Sequence, residues 1–120
     1  MKIYKFGGAS VKDAESVKNI ANIIKTVDSN LVIVVSAMGK TTNALENIIS
    51  LFIKGENYNS EIVKLKKSHN KIAEQLFPDN HKIFIFLNSY MGALMNISTE
   101  NSNIMVKIHC SLHRSMIYKK

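Results

Sequence analysis

The chain has 120 residues, 46% of them hydrophobic and 21% charged, a balance typical of one small globular domain and not of a disordered chain. No apolar run reaches the roughly 18 residues that a membrane helix needs, so we expect no membrane partner. The formal net charge is +7: residues 1–80 hold 11 Lys and Arg against 8 Asp and Glu, and residues 81–120 hold 5 against 1.

The basic excess is concentrated in the last third of the sequence. Such an excess attracts polyanions, but the chain has no basic motif interleaved with aromatic residues, no zinc-finger spacing and no RNA-binding signature. We therefore favour a solvated, lysine-rich surface and expect no nucleic-acid partner. A nucleic-acid-interacting protein, driven by the basic tail, remains the alternative that this charge leaves open.

The compartment predicted from the sequence is the cytoplasm. The first residues do not form a signal peptide, because Gly7 and Gly8 interrupt them before any apolar stretch develops. Cys110 is the single cysteine and has no partner for an internal disulfide, as is usual in reducing compartments.

The first elements predict a strand, a glycine turn, a helix and a second strand. Lys2–Phe6 is rich in β-branched and aromatic residues, and Leu31–Val35 is a continuous apolar run typical of a strand covered on both faces. Between them, apolar residues recur every three or four positions from Ala14 to Val27, behind Ser10 or Asp13 as the capping residue. This order predicts parallel strands joined by a right-handed crossover helix.

A small, polar loop over residues 36–43 follows the second strand, and two helices are predicted after it. Their apolar positions run from Leu45 to Phe52, ended by Gly55, and from Ile62 to Leu76, ended by Pro78. Beyond His81 the pattern weakens. Residues 83–87 fit either a strand or a helix, and residues 104–108 fit a strand.

The loop Lys5–Ser10 lies between a strand and a helix and has the residue types of a phosphate site. Glycines let a ligand approach the backbone closely, and free amides at a helix start attract phosphate oxygens. Lys5 can place an ammonium over the phosphates, and Ser10 can add a hydroxyl donor. On spacing alone, an ordinary tight turn explains the same residues.

The second loop contains Gly39-Lys40-Thr41, which looks like the end of the nucleotide-binding P-loop. That motif requires a glycine at position 34, where this chain has Val34 in the middle of a strand, so the P-loop interpretation fails. Lys40 can reach a nucleotide or substrate, although a loop lysine is usually just solvated.

Four other residues are weaker candidates. His69 lies on the apolar side of its predicted helix and is expected to be packed or half-exposed rather than a ligand. His109, Cys110 and His113 lack the paired spacing of a zinc site, and we expect no metal centre.

Taken together, the two loops resemble a known family. Lys5-Phe-Gly-Gly-Ala-Ser-Val11 resembles the K-F-G-G-[TSA]-S-[VL] signature of aspartate kinases. Val34-Val-Ser-Ala-Met38, followed by Thr41-Thr-Asn-Ala-Leu45, resembles their second conserved loop, in the same order and after one amphipathic helix. The resemblance covers roughly residues 1–80. It implies an α/β fold, as part of a three-layer α/β/α sandwich of the amino-acid kinase type with parallel strands and crossover helices.

The resemblance also implies a reaction and a set of site residues. Aspartate kinases transfer the γ-phosphoryl group of ATP, with Mg²⁺ carried by the nucleotide, to the side-chain carboxylate of L-aspartate, the first step toward lysine, threonine and methionine. By this resemblance Lys5 is the catalytic residue, and Ser36 and Thr42 bind aspartate. The residues that bind ATP would be Lys5, Phe6, Gly7, Gly8 and Ser10. Full-length family members form homo-oligomers.

The sequence departs from the family in its last third. The family's S-x-G-E-x-x-[ST] segment and substrate-gripping arginine are not found, and Ser98-Thr-Glu100 lacks the required glycine. We therefore expect residues 1–83 to be the amino-terminal part of a kinase domain and 84–120 a divergent basic tail, read out of frame or disordered. The expected product is a truncated, inactive fragment. A small nucleotide-binding or regulatory protein without catalysis is the alternative.

Overall fold

A computed structural model describes residues 1–95 and 116–119 of the chain. In chain order the strands and helices are β1 (Lys2–Phe6), a short 3-10 helix (Gly8–Val11), α1 (Ala14–Lys25), β2 (Leu31–Val35), α2 (Thr41–Ile53), α3 (Asn59–Leu76), α4 (Ile83–Met95) and β3 (Met116–Lys119). None of the helices in these described stretches is both long enough and apolar enough to span a bilayer.

The chain divides into two compact units. The first consists of Met1–Thr41 together with Leu112–Lys120, and the second consists of Thr42–Ser111. The first therefore contains β1, α1, β2 and β3, and the second contains α3, α4 and all but the first residue of α2.

A three-stranded sheet forms the first unit, with β2 in the middle. β1 runs parallel to β2, from Lys2 opposite Leu31 to Phe6 opposite Val35, and α1 is the connection between them. This confirms the predicted α/β fold with parallel strands and a crossover helix. β3 pairs with the other edge of β2 in the antiparallel direction, a pairing that the sequence analysis did not predict.

Helix α1 begins because Asp13 caps it. The Asp13 backbone is extended, and its Oδ1 accepts a hydrogen bond from the Ser16 amide at 2.8 Å, which satisfies one of the unpaired amides of the first turn. Asp13 and not Ser10 is thus the capping residue. At the other end, the Thr26 hydroxyl donates to the carbonyl of Ile23 at 2.8 Å, and Val27, although buried, lies beyond the helix.

The faces of β1 differ in burial. Tyr4 and Phe6 are half-buried, and their rings meet edge to face with centroids 6.3 Å apart. Ile3 and Lys5 point to the opposite face, because side chains alternate along a strand, and Ile3 is 63% exposed. The middle strand is better covered, with Leu31 only 1% exposed.

The second unit is helical. Gly55, with φ +71°, ends the turn after α2, and the next helix stops before Pro78, as the sequence predicts. α3 packs against α4. The buried side chains of this unit are Leu45, Ile48, Ile62, Leu65, Ala73, Met91 and Leu94.

Residues 83–87, which fitted a strand or a helix, form the first turns of α4. Residues 84–95 of the segment predicted to be a divergent tail therefore belong to a helix, and the domain boundary at residue 83 stays a prediction. The possible strand at 104–108 lies outside the described residues.

Candidate functional site

Two loops at the carboxyl ends of β1 and β2 are joined by backbone hydrogen bonds. We call Lys5–Ser10 the glycine loop and Ser36–Lys40 the serine loop. The Ser36 amide donates to the Phe6 carbonyl at 3.0 Å, which continues the strand pairing, and the Gly39 amide donates to the Gly8 carbonyl at 3.2 Å. The two loops that carry the chemical motifs are therefore in direct contact within the first unit.

Gly8 is a glycine because the serine loop leaves no room for a side chain. A Cβ atom at this position would lie 3.0 Å from the Gly39 carbonyl oxygen and 3.1 Å from that of Ala37. Both neighbours are backbone atoms, which cannot swing aside as the end of a side chain would. The glycine at position 8 thus permits close packing of one loop on the other.

Gly7 has a different environment. A Cβ atom here would meet no atom within 4 Å, and its φ of −76° is one that any residue can adopt. The backbone of this part of the chain therefore does not itself require glycine at position 7. The open space beside Gly7 lets a ligand approach its peptide group closely.

The glycine loop does not lead directly into α1, as the sequence analysis expected. The glycine loop leads into the short 3-10 helix Gly8–Val11, in which the Ser10 amide donates to the Gly7 carbonyl at 2.9 Å. α1 begins only at Ala14, and the side chain of Asp13, the residue before it, caps the first turn. Two hydrogen bonds from Ser16, one from its side chain and one from its backbone, hold the pKa of the Asp13 carboxyl below its usual range. The predicted phosphate site, with amides at a helix start, therefore falls on the glycine loop and the 3-10 helix and not on the start of α1, which Asp13 caps.

The remaining predicted residues of the glycine loop are accessible in different degrees. The side chains of Lys5 and Ser10 are exposed, whereas Phe6 is half-buried against Tyr4. A Lys5 ammonium at the end of β1 can therefore reach a ligand in solvent, and Phe6 contributes its backbone to the loop contact.

The serine loop is shorter than the predicted 36–43, because Thr41, Thr42 and Asn43 already belong to α2. The Thr41 amide donates to the Met38 carbonyl at 3.0 Å and closes a turn before the helix. Ser36 and Lys40 are exposed. Thr42 is half-buried in the first turn of α2 and is the first residue of the second unit.

Sequence reasoning missed the role of Gly39. Its φ is +52°, a conformation that side chains rarely adopt, and it supplies the amide that contacts Gly8. The sequence signal is a glycine in a short loop after a strand, which indicates a turn but does not show which residue the Gly39 amide contacts.

Of the four weaker candidates, His69 lies among the described residues. His69 is half-buried, and its Nδ1 lies 2.9 Å from the Leu65 carbonyl oxygen, one helical turn earlier. His109, Cys110 and His113 lie outside the described residues. Residues 1–95 and 116–119 contain no group of three metal-ligating side chains.

Comparisons with known proteins agree with this fold. The model of the amino acid kinase family matches residues 1–114. Aspartokinase 1, chloroplastic, of Arabidopsis thaliana is 35% identical over 101 residues, which cover 80% of this chain and 18% of the relative. The aspartokinase of Geobacillus stearothermophilus is 47% identical over 49 residues, 38% of this chain and 12% of the relative. The crystal structure of Clostridium acetobutylicum aspartate kinase aligns with a TM-score of 0.66 and 23% identity, over 82% of this chain and 24% of that one.

A parallel β1–β2 pair with joined loops at its carboxyl end, together with these matches, defines the class. The chain belongs to the amino acid kinase family. Within that family it is aspartokinase-like, and it spans less than a fifth of the length of the curated aspartokinases that it matches.

Proposed function

We propose that the glycine loop binds the phosphates of ATP and that the protein to which these residues belong transfers the γ-phosphoryl group to the side-chain carboxylate of L-aspartate. One observation carries the proposal: the two loops that resemble the aspartate kinase motifs are hydrogen-bonded to each other at Gly8 and Gly39. A reaction between two substrates requires their binding loops to be adjacent, since phosphoryl transfer depends mainly on positioning and charge neutralisation.

The glycine loop suits the phosphate end of the nucleotide. Gly7 offers an open approach to the backbone, and Gly8 lies close to the serine loop, so we assign both to phosphate binding through their amides. Phe6 and Ser10 support the loop on either side. We assign to Lys5 the neutralisation of charge on the transferring phosphoryl group, because its side chain is exposed at the end of β1.

We assign the binding of aspartate to Ser36 and Thr42. The exposed Ser36 follows β2 directly, and its hydroxyl can donate a hydrogen bond to a carboxylate. Thr42 is the second residue that the family resemblance assigns to aspartate, and its role rests on that resemblance. In this family Mg²⁺ would arrive with the nucleotide, whose phosphate oxygens it prefers as ligands.

We further infer that the 120 residues alone do not complete the reaction. The glutamate and arginine motifs that family members use to hold aspartate are not found in the sequence. Assignment to the cytoplasm stays a prediction, since two of the similar aspartokinases are chloroplastic.

Two measurements test the proposal. Isothermal titration calorimetry of the 120-residue chain with MgATP should give saturable binding, and a coupled assay with MgATP and aspartate should give no turnover. Clear turnover would contradict the inference of inactivity. Binding that aspartate neither strengthens nor weakens would favour the alternative, a nucleotide-binding protein without catalysis.

A further inference from the structure

We propose that Gly39 is a positioning residue, which fixes the direction of the amide donors in the glycine loop. This inference rests on the proposed function, because it concerns how the same loop receives phosphate. Gly39 belongs to the serine loop, and it acts on the glycine loop through the single backbone hydrogen bond to Gly8.

The argument starts from the geometry of the peptide group. A peptide bond is planar and trans, so the carbonyl of one residue and the amide of the next point in opposite directions. Three successive carbonyls in the glycine loop accept backbone hydrogen bonds: Phe6 from Ser36 at 3.0 Å, Gly7 from Ser10 at 2.9 Å, and Gly8 from Gly39 at 3.2 Å. The directions of the following three amides are therefore fixed, those of Gly7, Gly8 and Ala9.

Two of these three hydrogen bonds come from the serine loop, and only one of them depends on an unusual residue. The bond from Ser36 continues the regular pairing of β1 with β2. The bond from Gly39 needs a backbone with φ +52° at the donor and a Gly8 without a Cβ atom at the acceptor. The 3-10 helix Gly8–Val11 also holds the Gly8 carbonyl through the Val11 amide, so the bond from Gly39 is a second constraint, supplied by the serine loop, on the direction of the Ala9 amide.

Fixing these amides matters because glycine is the most flexible residue. Gly7 and Gly8 would otherwise sample many orientations, and binding a phosphate would require ordering them at an entropic cost. Donors that already point in one direction bind an anion without that cost. The serine loop therefore orders the glycine loop before the nucleotide binds. The loop that contains Ser36, assigned to aspartate, is thus also needed for the structure of the loop assigned to ATP.

The test compares Gly39→Ala with Gly55→Ala in the 120-residue chain. Gly55 also has a positive φ, of +71°, with nothing within 4 Å of an added Cβ, and it lies in the other unit. Both substitutions introduce the same kind of backbone strain. We expect Gly39→Ala to weaken MgATP binding about tenfold or more, as loss of an oriented donor to a charged group would. Gly55→Ala should leave the affinity within about twofold, because the Gly55 amide donates to the Phe52 carbonyl within its own unit and makes no hydrogen bond to the glycine loop.

Gly39→Asn provides a second comparison, because asparagine tolerates the left-handed conformation better than alanine does and can keep its amide directed at Gly8. We expect it to restore most of the affinity lost in Gly39→Ala. Equal losses in Gly39→Ala and Gly55→Ala, or no loss in Gly39→Ala, would overturn the inference and leave the proposed function standing. Failure of the unaltered chain to bind MgATP would overturn both.

If Gly39→Ala does not fold, hydrogen exchange of the unaltered chain tests whether Gly39 positions the glycine loop. The Gly39 amide should exchange more slowly than in an unstructured peptide, and it should slow further when MgATP is added. Exchange at the rate of an unstructured peptide, or saturable MgATP binding that leaves this rate unchanged, would overturn the inference.

Discussion

The amide of Gly39 lies 3.2 Å from the carbonyl oxygen of Gly8 and donates a hydrogen bond to it. This bond joins two loops whose residues are about 30 positions apart in the sequence and which follow neighbouring parallel strands. Ligands of open α/β sheets bind at the carboxyl ends of strands, where such loops meet. The contact therefore links the two motifs physically as well as by resemblance.

Gly8→Ala should destabilise the chain. The added Cβ atom would lie 3.0 Å and 3.1 Å from two backbone oxygens, so the loops must separate or strain. We expect a loss of about 1–3 kcal/mol in the free energy of unfolding, the usual cost of overpacking. Urea unfolding measures it. Gly7→Ala is the matched control, because its Cβ meets nothing within 4 Å, and it should leave stability unchanged or raise it by up to about 1 kcal/mol.

Lys5→Met should weaken MgATP binding with little effect on folding. The side chain is exposed, so its loss removes a positive charge and no packing. We expect about a tenfold weaker affinity and a shallower dependence on salt concentration, since one charge contact is lost. Lys2→Met, on the same strand and also exposed, should change neither quantity. An equal effect of the two substitutions would mean that only net charge matters.

The Asp13 cap should make stability depend on pH in the acid range. Its pKa is lowered in the folded chain by the hydrogen bonds from Ser16, so the unfolded chain binds the proton more readily. The contribution is fully present above the unfolded pKa of aspartate, about 3.9, and is lost as pH falls through the lower folded pKa. Denaturant midpoints measured against pH report it.

Two substitutions at Asp13 separate the cap from its titration. Asp13→Asn should retain the cap and lose this part of the pH dependence, because asparagine caps helices about as well as aspartate. Asp13→Ala should lose both and be the less stable of the two at neutral pH. Unchanged pH dependence in Asp13→Asn would assign the effect to another carboxyl group.

Leu31→Ala should be far more damaging than Ile3→Ala, although both residues lie in paired strands. Leu31 is 1% exposed in the middle strand, and truncating a buried leucine costs about 2–5 kcal/mol. Ile3 is 63% exposed, and its truncation should cost less than about 1 kcal/mol. Thermal unfolding of the two variants provides the comparison, and similar losses would mean that the outer face of β1 is covered in solution.

The sequence predicted β1, α1 and β2 because their patterns are local. The apolar run at 31–35, the three-and-four spacing from Ala14 onward and the acidic cap are each set by residues close together in the chain. The parallel pairing of β1 and β2 followed from the helix between them. The antiparallel pairing of β3 did not follow, because it joins segments that are distant in sequence.

The sequence pattern could not predict the helical state of α4 or the different roles of Gly7 and Gly8, and each has a physical reason. α4 is apolar on nearly every side, with Ile85 73% and Phe86 65% exposed, so it lacks the amphipathic period that separates a helix from a strand. The different roles of Gly7 and Gly8 depend on a backbone contact across two loops, and the sequence shows only two adjacent glycines.

The central claim is that the glycine loop binds the phosphates of ATP, and titration calorimetry of the unaltered chain and Gly7→Ala tests it most directly. MgATP should bind the unaltered chain saturably, adenosine should not, and Gly7→Ala should weaken MgATP about tenfold or more while keeping its stability, because a Cβ atom would fill the open approach. Absence of MgATP binding, or equal affinities for the two chains, would contradict the claim.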